Sequence, residues 1–105
     1  EAFLVPEEQM TAVTALCSCG IAYILRYIGA SVEGAARMGI DPSQALPMVL
    51  QTVRGAVGLL QANGTMPQQE IDKVTTPGGI TLKGLEAMER GGFSAAVIDG
   101  LLASK

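Results

Sequence analysis

The residues best suited to chemistry are Thr75-Thr76-Pro77-Gly78-Gly79-Ile80-Thr81. Pro77 fixes φ, and two consecutive glycines open backbone conformations closed to other residues and allow a ligand close approach. A helical pattern comes next, so amides at its start can point at an anion. Thr81 adds a hydroxyl beside those amides. Such a set suits a carboxylate held by backbone N–H groups, with one hydroxyl to orient it. It is not a phosphate loop, because Gly-x-x-x-x-Gly-Lys-Ser/Thr is absent. The residues alone leave a second reading open, a tight turn between helices, which also calls for glycine.

A second candidate is the small-residue segment from Ala12 to Tyr23, centred on Cys17-Ser18-Cys19-Gly20. Small side chains let either a second backbone or a flat ring pack closely. Cys17 and Cys19 are two residues apart, a spacing that would strain a disulfide ring. The chain has no histidine and no other cysteine, so a metal site is not expected. A nucleophilic thiol would need a base, and no histidine supplies one. The pair reads as two small, reduced, mostly buried residues in a cytoplasmic protein. Glu86 and Glu89 fall three apart on one helical pattern and read as a solvated face, with a catalytic acid pair as the weaker alternative.

Helices must position these groups. Pro6-Glu7-Glu8 marks a helix start, with acids where the helix dipole favours them. Apolar residues at Met10, Val13, Leu16, Ala22, Leu25, Ile28 and Val32 recur at helical spacing. Cys17–Gly20 interrupts them as a break or a thin waist, and Gly39 suits the far end as a left-handed cap. Asp41-Pro42 opens a second long helix as N-cap and first-turn proline, and Asn63-Gly64 closes it. Pro47 lies inside, where its missing N–H predicts a bend or a distorted first turn. Pro67–Val74 is a short helix. Thr81–Arg90 and Phe93–Ala103 come after it, divided by Gly91-Gly92, with Phe93, Ala96, Val97 and Leu101 facing inward. No segment has sustained period-2 alternation. The prediction is one all-α domain over residues 1–105, with about five helices.

Composition narrows the partners. Seven Lys and Arg against ten Asp and Glu give a net charge of −3. The basic residues are too scattered to track a nucleic-acid backbone. No unbroken apolar run reaches the roughly 20 residues of a membrane span, so no membrane partner is expected. The first six residues lack the basic region of a secretory signal, and a chain beginning with Glu1 rather than Met reads as part of a longer protein. Hydrophobic residues make up 49% and mean hydropathy is +0.36. A chain this short buries only about 65% of its unfolded surface, so this much apolar content favours an oligomer.

The loop and the segment after it resemble a family signature. Thr75–Thr81 with Gly84-Leu85-Glu86 and Gly91-Gly92-Phe93 resembles the TSPGGTT…GL…LE…GGF segment of pyrroline-5-carboxylate reductases, in order and spacing over nineteen residues. Thr11–Tyr23 is similar to their D-A-V-T-A-L-S-G-S-G-P-A-Y segment, with Thr11 for the acid, Cys17 and Cys19 for serines, Ser18 for a glycine and Ile21 for the proline. Asp72, Val74 and Thr75 match a D-x-V-T/S pattern. The resemblance runs from about residue 7 to the end and implies the C-terminal domain of that family, an all-α unit that forms an interlocked homodimer or an oligomer of dimers. It implies reduction of 1-pyrroline-5-carboxylate to L-proline with NAD(P)H, the cofactor held mainly by the reductase's own N-terminal Rossmann domain. This sequence shows no Gly-x-Gly-x-x-Gly and no βαβ pattern. Carried over by position, Thr76, Pro77, Gly78, Gly79, Ile80 and Thr81 bind the substrate, Thr81 acts on its ring nitrogen, and Ser18, Cys19, Gly20 and Ala22 touch the cofactor. The isolated domain is then expected to be inactive. A helical dimerisation module without a ligand site, or a related reductase with another substrate, are the competing expectations.

Overall fold

In a computed structural model, which describes residues 4–105, the chain is a set of helices with no strand among the described residues. Part of the N-terminal stretch considered as a signal, residues 1–3, lies outside them. A one-turn 3₁₀ segment Glu7–Gln9 leads into α1 (Met10–Thr14), a π-helical turn Ala15–Cys19 and α2 (Gly20–Arg37). Then come α3 (Pro42–Asn63), α4 (Pro67–Val74), α5 (Ile80–Arg90) and α6 (Phe93–Ala103). Because the first four pieces join end to end, the chain amounts to five helical rods.

The break expected at Cys17–Gly20 is absent. Thr14, Ala15, Cys19 and Gly20 all keep right-handed helical dihedrals, and Gly20 N–H reaches back five residues to the Ala15 carbonyl. Small side chains leave the backbone free to slip its hydrogen-bond register without leaving the helix. The outcome is one 31-residue rod, Glu7–Arg37. The rod is long and apolar enough to cross a bilayer by length and composition alone. Thr14, Ser18, Arg26 and Glu33 interrupt the apolar run in the sequence but do not break the helix.

Cap residues set the other boundaries as their types predict. Gly39, at φ +95°, ends α2 with the paired bonds Ile40 N–H to Ala35 C=O and Gly39 N–H to Ala36 C=O, 2.9 and 3.0 Å. At α3, the Asp41 carboxylate accepts from Ser43 N–H at 2.8 Å and Ser43 Oγ at 2.7 Å. Those two bonds, the hydroxyl's first, hold the Asp41 carboxyl below its ordinary range. α3 runs on through Pro47 without interruption. Gly64, at φ +62°, closes it.

α2 and α3 form the main helical pair, and α6 packs back on the π turn and the start of α2. Tyr23 Oη hydrogen-bonds Ser104 Oγ, and the Tyr27 ring meets Phe93 edge-on at 6.3 Å. Yet the only buried hydrophobic residues among those described are Ala15, Ala35 and Ala45. Phe93 and Val97, expected inward, are each 43% exposed, and Ala96 is exposed too. Leu101 alone of that set is half-buried. The chain exposes 8263 Å², about 2,700 Å² more than a compact monomer of its mass. Its radius of gyration is 15.9 Å, where a compact domain of this length has about 13 Å. α6 is apolar on nearly every side, and such a helix is ordinarily buried. The single chain lacks the second layer that would bury it.

Candidate functional site

The loop between α4 and α5 is built by its two glycines, each for a different reason. Thr76–Gly79 is a tight turn with Pro77 and Gly78 at its centre, closed by Gly79 N–H to Thr76 C=O at 2.9 Å. Gly78 has φ +77°, a conformation side chains disfavour. Gly79 is extended, and a Cβ there would stand 2.6 Å from Thr76 Oγ1 and 3.1 Å from Thr76 O. One glycine is needed for torsion and the next for space.

Gly79 is also the N-cap of α5, and a glycine brings no side chain to the helix start. The first intrahelical bond of the helix comes from Lys83 N–H to Gly79 C=O, 3.2 Å. The amides of Ile80, Thr81 and Leu82 therefore begin α5 without backbone partners, at the positive end of an eleven-residue helix. Ile80 is the first helical residue, one earlier than the sequence pattern indicates, and its side chain is 86% exposed. Thr76, Pro77, Gly78 and Thr81 are exposed and Gly79 half-buried. The geometry reassigns the donors. The Gly79 amide is spent on the turn, and Leu82, absent from the sequence-derived set, supplies a free one. That third amide is legible in principle, because the third residue after a helix N-cap never has a helical acceptor.

The segment feeding this loop is tied down by polar contacts. Glu70 Oε2 accepts from Thr65 Oγ1 at 2.6 Å, Lys73 Nζ at 3.0 Å and Asn63 Nδ2 at 3.1 Å. Thr65, then Asn63, then Lys73 hold the Glu70 carboxyl down to about 2. Stability linked to a depressed carboxyl is complete above its unfolded value and is lost as pH falls through the folded one. The α3–α4 corner should therefore loosen between about pH 4.5 and pH 2, and Glu70→Gln should flatten that profile. Amide exchange across residues 63–74 reads it, and equal acid sensitivity in both proteins would contradict it. Thr75 Oγ1 donates to Ile71 C=O at 2.9 Å and closes the far end of α4. Asp72, matched above to the family pattern, accepts from Gln68 Nε2 at 2.8 Å on the surface of its own helix. Glu89 has a use the sequence reading missed: it accepts from Ser94 N–H at 3.1 Å and Ser94 Oγ at 2.8 Å, capping α6.

Ser18, Cys19, Gly20 and Ala22 lie on a different element, across the π turn and the first turn of α2. Ser18 and Ala22 are exposed, and Cys19 and Gly20 half-buried. Cys17 is exposed too, so the two thiols are not the buried pair expected from their type. A Cβ on Gly20 would meet only the Ala15 carbonyl oxygen, at an ordinary 3.8 Å. Crowding inside the chain does not require glycine there, so the face is open to something outside it. An apolar groove of 240 Å³ lies elsewhere, between α2 and α3, lined by residues such as Tyr27, Met38, Met48 and Val53. No loop residue and none of the Ser18–Ala22 set lines it. The chain presents two candidate half-sites on separate surfaces, with no shared pocket among the described residues.

A family profile described as "Pyrroline-5-carboxylate reductase dimerisation" matches residues 7–105. The chain belongs to that family. It is 47% identical over 98 residues to pyrroline-5-carboxylate reductase 1 of Dictyostelium discoideum, covering 93% of this chain and 18% of the relative. It is 39% identical over 98 residues to pyrroline-5-carboxylate reductase 2 of Bacillus subtilis, covering 93% and 35%. The solved Plasmodium falciparum pyrroline carboxylate reductase with NADP bound superposes with a TM-score of 0.91 at 30% identity, over 95% of this chain and 40% of that one. The Coxiella burnetii pyrroline-5-carboxylate reductase gives 0.90 at 30%, over 96% and 37%. The dimerisation domain thus spans well under half the length of the relatives it matches.

Proposed function

We propose that this domain is the dimerisation and substrate-binding part of a pyrroline-5-carboxylate reductase that converts 1-pyrroline-5-carboxylate to L-proline. The observation that carries the reading is the start of α5, where a glycine-capped helix in a member of this family offers three unpaired amides beside the Thr76 and Thr81 side chains. The substrate is a cyclic imine with one carboxylate. In this reading the carboxylate sits on the amides of Ile80, Thr81 and Leu82. The turn at Pro77–Gly79 keeps side-chain bulk away from it, and exposed Ile80 flanks the entrance. The Thr81 hydroxyl orients the ring nitrogen and steadies its protonated form or the new amine. This is positioning with modest polarisation, and it requires neither a covalent intermediate nor a histidine.

The nicotinamide cofactor, NADH or NADPH, supplies the hydride when bound. Its principal surface would be an N-terminal Rossmann domain, since residues 4–105 contain no strand. This chain's part is the flat face at Ser18, Cys19, Gly20 and Ala22, whose small side chains fit the close approach of a ring. Two copies would associate through the exposed rod and α6. Two copies carry about 5,400 Å² of excess exposed surface between them, at the upper end of the total that obligate dimer interfaces bury, about 2,000–5,000 Å² or more. A cytoplasmic setting belongs to the same proposal and rests on the two unpaired thiols, Cys17 and Cys19.

Thr81 supplies the test. In the full enzyme, Thr81→Ala should lower kcat by about tenfold to a hundredfold with a smaller change in KM, the pattern for a contact made mainly in the transition state. The domain alone should show no turnover. Full activity in the Thr81→Ala enzyme would remove Thr81 from the mechanism. Turnover by residues 1–105 unaided would remove the need for the Rossmann domain.

A further inference from the structure

α4 is a poorly anchored helix by apolar criteria. It has eight residues, none of them fully buried, and Val74 at its end is 60% exposed. Ile71 is its only half-buried apolar side chain. An eight-residue helix has little stability of its own. Something else must fix its direction, and the loop at Thr76–Thr81 inherits that direction because only Thr75 separates it from the end of α4.

Glu70 is the evident candidate. Its side chain keeps only 11% of its exposure. One carboxylate oxygen gathers three donors from three different places: Asn63 at the last residue of α3, Thr65 in the connector and Lys73 in the last turn of α4. α3 is in turn packed along α2, the most extensive helix pair of the chain. We propose that Glu70 is a positioning residue, holding α4 against the end of α3 and so fixing the loop on which, under the proposed function, the substrate carboxylate rests.

The three bonds are unequal. Lys73 is 57% exposed, and an ion pair so wetted contributes little. Thr65 is half-buried and its 2.6 Å bond is the shortest of the set. Hydrogen bonding, more than charge, makes the staple. A glutamine at position 70 keeps an acceptor oxygen for Thr65 and Asn63, and a leucine keeps neither.

The experiment uses the full enzyme and two readouts, amide hydrogen exchange and steady-state kinetics. Glu70→Leu should speed exchange at the hydrogen-bonded amides of residues 71–74 and of Gly79 by about tenfold or more. It should raise KM for the imine substrate by about tenfold while kcat changes less than about twofold. Glu70→Gln should restore both toward wild type. Should Glu70→Leu fail to fold by circular dichroism, Thr65→Val removes the shortest bond while keeping volume, and the same changes are expected at smaller size. Unchanged exchange at residues 71–74 and Gly79 in a folded Glu70→Leu or Thr65→Val enzyme overturns the proposal. Faster exchange with unchanged KM supports the staple and instead overturns the loop as the substrate's seat, so the two readings fail separately.

Discussion

Gly79→Ala should lower kcat/KM of the full enzyme by about a hundredfold while leaving helix content and assembly intact. The added methyl would stand 2.6 Å from Thr76 Oγ1 and 3.1 Å from Thr76 O. The hydroxyl can rotate away. The carbonyl cannot, because it accepts the Gly79 amide at 2.9 Å and closes the turn. Relief then requires the turn to open, and the amides of Ile80, Thr81 and Leu82 move with it. Misplacing a reacting group by about 1 Å can cost about a hundredfold. Thr76→Ala alone sets a baseline, and adding it to Gly79→Ala should recover part of the loss. Kinetics on the four proteins decide the matter. A Gly79→Ala enzyme with wild-type kcat/KM would show that the turn tolerates a Cβ and that its geometry does not limit binding. Gly78 would act through torsion, not space, since nothing crowds it and only its φ of +77° resists a side chain.

Leu25→Asp should abolish assembly. Leu25 lies mid-rod on α2 and is 60% exposed in the single chain, flanked on the same stripe by Ile21, also 60% exposed, and by Ile28. Burying a leucine contributes about 1.5–3 kcal/mol, and a symmetric interface places two copies of the change in each dimer. An unpaired carboxylate left in the interface adds its own desolvation cost. The dimer dissociation constant should rise by at least about a thousandfold. Light scattering and sedimentation at micromolar concentration measure it, and activity should fall with the dimer. A wild-type chain that runs as a stable monomer under those conditions would overturn the dimer reading itself. A variant that still dimerises would move the interface off this stripe.

Much of the fold was legible because its boundaries are marked by residues with one dominant local use. Asp41-Pro42 starts a helix, and Gly39, Gly64 and Gly92 sit at helix ends with positive φ. The loop was legible for the same reason, since Pro77 and two glycines admit few arrangements. The π turn was not, because a one-residue slip in hydrogen-bond register leaves no side-chain signature. The small residues around Gly20 looked like a break and proved to be tolerance for that slip. The free amide of Leu82 and the spent amide of Gly79 concern backbone bonding, which residue type reports only indirectly. Glu70 was missed because its three donors come together only once α3 turns into α4. Phe93 and Val97 were expected to face a core, and the chain by itself does not contain that core.

A lone copy buries only about half of its unfolded surface, and only three alanines completely. Under the dimer reading, much of the chain's stability arrives with its partner. A newly made copy waits with its longest helix uncovered, offering the surface that chaperones bind and that drives aggregation. Its survival then depends on how soon another copy arrives. The amount of this domain in a cell would track its rate of synthesis more steeply than in direct proportion, because scarcity itself exposes each molecule to disposal.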